Sequence, residues 1–159
     1  MIISVNIEHI FNQVNQRTLY IADQVDPSLG EMMIDKIPIT EDDRSFFKIA
    51  LRDASVKTAL ILSPLTKGIS QPFVVNEVDS VVSFQLDETK SSAQLPILET
   101  VMPGLIMRGI VLWITAEWLR IKGLNASYYS TETQELEIVK NEIKSISKQK
   151  TTRLKYQMF

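Results

Sequence analysis

The chain has 159 residues and a mass of 18.1 kDa, enough for one domain with a real core. Apolar residues make up 45% and charged residues 23%, which excludes a disordered chain. With no cysteine, a single histidine (His9) and a net charge of −2, thiol chemistry, thiolate zinc sites and a strong global pull toward nucleic acid fall away.

Met1 to His9 has neither a basic region nor a long apolar run, so no secretory signal is expected. Ile7, Ile10, Phe11 and Val14 recur at helical spacing, and Ile21 and Val25 extend the stripe, predicting a helix from about Asn6 to Gln24. Asp26-Pro27-Ser28-Leu29-Gly30 ends it with turn chemistry. Thr40-Glu41-Asp42-Asp43 reads as a capping box that opens a second helix. Phe47, Ala50, Leu51, Ala54, Thr58, Ile61 and Leu62 mark the inner face of that helix. Ser63-Pro64 stops or kinks it.

From Gln71 to Leu86 the residues turn beta-branched and aromatic, and Val82, Phe84 and Leu86 alternate with Ser83 and Gln85. A small hairpin turning near Asn76 to Ser80 is expected, marginal in water without a helix beneath it or strands from another chain beside it.

Leu95 to Lys122 is the most apolar stretch. Arg108 falls near its middle, which argues against a membrane span and for a central bundle helix or one at a subunit interface. Pro103 begins or kinks its regular part, and Gly123 follows Arg120 and Lys122 as a stop signal. The last helix is expected from Ser127 to Lys148, with a narrow seam of Leu136, Val139, Ile143 and Ile146, antiparallel to its predecessor. Thr151 to Phe159 reads as an extended arm. The expected fold class is therefore mainly α: a four-helix core spanning 1–150, a β-hairpin at about 71–87, and an extended C-terminal arm at 151–159.

Catalytic and cofactor signals are weak. Gly104 and Gly109 have the spacing of a phosphate loop, but Ile110 stands where lysine is required. Glu41, Asp42 and Asp43 suit capping better than cation binding, and Glu135 and Glu137 do not face each other on a helix. Trp113 and Trp118 read as core, and Lys140, Lys144 and Lys148 as a solvated ridge. Neither an enzyme, a metal nor a cofactor is expected. Charge is uneven along the chain. Met1 to Arg44 holds eight acids and three bases, whereas Lys148 to Phe159 holds four bases and no acid. Solubility alone, or complementarity between neighbouring subunits, accounts for this asymmetry.

The order of these features resembles the head–tail connector proteins (neck rings or adaptors) of tailed bacteriophages, of the crAss-like and short-tailed type. The residues that carry the resemblance are Ile37 to Arg44 leading into Phe46, Phe47, Leu51 and Ala54; the late helix Ile110 to Leu119; the strands between them; and the basic C-terminus. The resemblance implies a structural virion protein, assembled in the host cytoplasm and located at the head–tail interface. It implies a twelve-fold ring of this chain, contact with the portal protein or an adjacent neck or tail ring, and passage of double-stranded DNA without sequence-specific binding. An inter-protomer sheet built on Phe73, Val75, Val82 and Phe84 is expected, with a docking arm of Arg153, Leu154, Lys155, Tyr156, Met158 and Phe159. The alternatives are a tail-completion or terminator protein, and a small cytoplasmic adaptor that binds a partner helix along the Leu136 to Ile146 seam.

Overall fold

Ile2–Asn6 forms a strand, β1, in a computed structural model that describes residues 1–87 and 95–156, with side chains described for 1–87 and 96–148. Alternation decides it: Ile3 and Val5 are buried while Ile2, Ser4 and Asn6 face out. Asn6 then changes role. Its side-chain oxygen accepts the His9 backbone N–H at 2.8 Å and caps α1, Ile7–Gln24. Ile7, Ile10, Phe11, Val14, Thr18 and Ile21 make the buried face of α1.

The chain passes through two short turns, Pro27–Leu29 and α2 (Glu31–Ile34), and returns along α1. Three side chains pin this return. Ile39 donates its N–H to Thr18 Oγ1 at 3.0 Å, Asn15 donates to the Ile39 carbonyl at 2.6 Å, and Trp118 Nε1 donates to the Ile37 carbonyl at 2.6 Å. The capping box forms, with Asp43 accepting the Thr40 N–H at 2.8 Å, and α3 spans Arg44–Ile61. Pro64 sits in the one-turn α4, Ser63–Thr66.

Strands β2 (Phe73–Asn76) and β3 (Val81–Gln85) follow, then α5 (Leu95–Thr100), α6 (Met102–Ile121) and α7 (Ser130–Tyr156). The α5–α6 break falls at Val101, and Pro103 occupies the first turn of α6, where its missing N–H costs no helical bond. At the other end, Gly123 adopts φ +76°, and Leu124 N–H reaches back to the Leu119 carbonyl.

The fold is mainly α, with α1, α3, α6 and α7 around one core. Helix α6 lies at its centre, in contact with α1, α3, α5, α7 and β1. Ile106, Ile110, Leu112, Ile114 and Leu119 of α6 are completely buried. Among the described residues, α6 is the one helix long and apolar enough to cross a membrane; more than half of that stretch is buried within the fold, which accounts for its composition. Gly109 faces α7, where a Cβ would stand 3.4 Å from Val139 Cγ1, at van der Waals contact.

The expected hairpin forms as β2 and β3, and β1 adds antiparallel to β3, giving the order β1-β3-β2, so β3 has a strand on each side. One expectation is corrected. The segment expected as an extended arm continues α7 through Tyr156. No glycine or proline interrupts Ser130–Tyr156, and cations near a helix C-terminus are favoured by its dipole.

Candidate subunit interface

The sheet is the first place to ask what this chain offers a partner. Phe73, Val75, Val82 and Phe84 all turn toward the core. Val82 and Phe84 are fully buried, and Phe73 and Val75 are half-buried, with the Phe73 and Phe84 rings 6.2 Å apart. Val82 and Phe84 thus hold the sheet onto its own helices and cannot reach a neighbour. This corrects their expected place in an inter-protomer contact: the central position of β3 removes them from any edge.

The backbone tells the other half. Ile7 N–H donates to the Ser80 carbonyl and Leu86 N–H to the Met1 carbonyl, bracketing the β1–β3 ladder. Pairing alternates in an antiparallel ladder, so Met1, Ile3, Val5 and Ile7 face β3, and Ile2 and Ser4 direct their N–H and C=O groups to the outer edge. On the far side, Gln85 N–H donates to the Pro72 carbonyl. By the same alternation Phe73 and Val75 present their backbone groups to the outer edge of β2. Among the described residues, neither edge is covered by a further strand. The sequence therefore points to Phe73 and Val75, but their main chain is what is available.

A groove of about 550 Å³ lies near the turn of this hairpin. Val75, Glu77 and Ser80 form one wall, Phe47, Lys48, Leu51 and Arg52 of α3 form the other, and Ile7 and Glu8 close the end. Lys48 pairs with Glu77 across it at 3.1 Å. Its anchor is Arg44, which the sequence reading passed over. Its guanidinium bonds both oxygens of Glu41 at 2.8 Å and both of Glu8 at 2.9 and 2.8 Å, while lying 3.6 Å over the Phe11 ring. The Arg44 hydrogen bonds hold the Glu41 carboxyl below its usual range, and those to Glu41 and Glu8 raise Arg44 further above its own. One fork thereby fixes the start of α3 against the start of α1. A mixed-sign groove beside an open strand edge suits a polypeptide; its residues offer no paired nucleophile and base.

Helix α7 buries Leu136, Val139 and Ile143 against α6 and α3, so most of the seam expected to bind a partner helix is already occupied. Trp113, half-buried, has Lys57 Nζ 3.9 Å from its ring, and Trp118 is core as expected. Lys144 and Lys148 are exposed; Lys140 is partly covered and bonds Glu137 at 2.6 Å, which holds Glu137 below its usual range. His9 is exposed and its ring meets Gln13 at 3.1 Å. Of the expected arm, Arg153, Leu154, Lys155 and Tyr156 fall in the last turns of α7. Met158 and Phe159 lie outside the described residues.

The charge asymmetry has a spatial counterpart. The bond from Trp118 holds Ile37 at the C-terminal end of α6, within a few residues of Glu31 and Asp35. The antiparallel α7 carries Lys148 to Lys155 toward the opposite end. Val139 packs on Gly109, so Arg153 lies about 20 Å beyond that point and Trp118 about 13 Å the other way, at 1.5 Å per residue. No family model matches the chain, and no match was found among curated proteins or solved structures.

Proposed function

We propose that this chain is a structural virion protein that forms a ring in the neck of a tailed bacteriophage, joins the portal to the tail, and lets DNA pass. The observation that supports it most is the pair of open edges on one short sheet. β1 and β2 both run antiparallel to β3 and so run in the same direction. The β1 edge of one copy laid beside the β2 edge of the next continues the sheet in a single sense. Such a contact is heterologous, and repeated by rotation it closes a ring.

The basic end of α7 extends away from the acidic loop, and in this reading it engages the portal or an adjacent ring. The slightly acidic chain as a whole would not grip transiting DNA, since such contacts depend on phosphate neutralisation. In this reading the protein is a structural part rather than an enzyme. The occupied seam on α7 weighs against the partner-helix adaptor.

The test is negative-stain imaging of the full chain mixed with portal particles, beside a chain lacking Thr151 to Phe159. Rings seated on the portal with the full chain, and folded but undocked protein with the shortened one, support the reading. A full chain inert toward portal contradicts it.

A further inference from the structure

Between α1 and the start of α7 lies a second cavity, of about 380 Å³, lined by Gln13, Gln16, Arg17, Tyr20, Glu132 and Glu135 among others. Glu132 is its unusual member. It is only 6% exposed, and its Oε2 has no hydrogen-bond partner among the described residues. Arg17 comes within 3.8 Å of the other oxygen and 3.7 Å of Glu135, distances beyond a hydrogen bond, so it is shared loosely between the two acids. Glu135 is served separately by Arg108 at 3.0 Å. Buried carboxylate oxygens in folded proteins are nearly always bonded, and Glu132, which lines this cavity, is the exception among the described residues.

We infer that the cavity is a socket for a basic side chain from the C-terminal segment of a second copy of this chain, with Arg153 or Lys155 as the donor to Glu132. No group of three or more acidic or imidazole side chains gathers among the described residues, which favours an organic cation over a metal. Tyr20, 66% exposed, offers a ring at the rim for a guanidinium to lie on. The chain supplies such cations near its own C-terminus: Lys148, Lys150, Arg153 and Lys155 stand in a stretch of sequence that holds no Asp or Glu. A copy cannot fill its own socket: Arg153 and Glu132 lie on one continuous helix, about 30 Å apart at 1.5 Å per residue. The donor therefore comes from a neighbour, and the contact joins the end of one α7 to the start of the next. This deepens the ring reading and rests on it for the identity of the partner.

Sedimentation equilibrium of the full chain tests it, with folding of every variant checked by circular dichroism. Glu132→Gln, and separately Arg153→Gln with Lys155→Gln, are each expected to weaken self-association at least tenfold. For the stronger arm, one chain carries Glu132→Lys and another carries Arg153→Glu with Lys155→Glu. Each alone is expected to associate more weakly than wild type, because its socket and tail carry like charge, and their equimolar mixture to recover association, since each tail then meets a socket of opposite charge. Wild type that associates while all these variants associate equally well overturns the socket and leaves the ring standing. Wild type that stays monomeric at every concentration overturns both.

Discussion

Trp118 shows how much a single side chain can organise. Its indole is core, as a tryptophan in an apolar stripe is expected to be. Its Nε1–H also ties α6 to the carbonyl of Ile37, 81 positions away in sequence. Phe46 packs on it with centroids 4.9 Å apart, and Lys122 Nζ lies 4.2 Å over its ring. Trp118→Phe keeps most of the apolar contact and leaves a buried carbonyl without its donor. The expected loss is about 1–3 kcal/mol in urea denaturation. Arg44 is the surface counterpart. Glu41 titrates below the ordinary value of 4.5 because Arg44 bonds it, so their pairing stabilises the fold above about pH 4.5 and is lost as pH falls through the depressed value. Arg44→Gln should therefore lower the melting temperature near pH 6, and the gap from wild type should narrow toward pH 3. Glu41 is exposed, so the gap is expected to be small and to shrink with added salt. A gap that widens in acid contradicts this account. The Arg44 fork was half visible: Glu41 and Arg44 stand three apart, but Glu8 comes from a segment that only the fold brings near.

At the scale of elements, legibility followed the strength of the local pattern. The helices α1, α3 and α6 could be read because long stripes, a capping box, Pro103 and Gly123 all agree. β1 was hidden because Ile7 continues both its alternation and the helical stripe that follows, and Asn6 belongs to both. The end of α7 was misread for a related reason. Its apolar seam runs out at Ile146, so no periodic stripe in the sequence marks the later turns, yet nothing in the sequence breaks the helix before Tyr156. A helix can outlast the stripe that announces it. The open edges make a prediction at this scale. Ser4 directs its N–H outward on β1, so Ser4→Pro removes no ladder hydrogen bond, only the exposed Ser4–Ser83 hydroxyl contact at 2.8 Å. The protomer is expected to fold, with far-UV circular dichroism unchanged, and to lose strand addition at that edge, with light scattering showing a smaller assembly. A Ser4→Pro protein of full assembled mass would show that the β1 edge is not used.

For the whole molecule, the interior and the exterior were legible to different degrees. The mainly α core follows from patterns that each segment carries within itself. The proposed interface does not, because it depends on which backbone groups remain once the sheet is complete. Side-chain alternation marked Phe73, Val75, Val82 and Phe84 as one set. The third strand divides them, leaving Val82 and Phe84 in the interior and the main chain of Phe73 and Val75 at an edge. Likewise the charge counts of the two chain ends were plain, but not that the fold sets the acidic loop and the basic helix end apart along the bundle. The central claim is that the sheet edges are completed by neighbouring copies. Residue-resolved amide hydrogen exchange, followed from dilute to assembled protein, measures this directly. The amides of Ile2, Ser4 or both, together with those of Phe73, Val75 or both, should exchange rapidly when dilute and become protected on assembly, while Val82 and Phe84 stay protected throughout. Edge amides that exchange equally fast in the assembled state would contradict it.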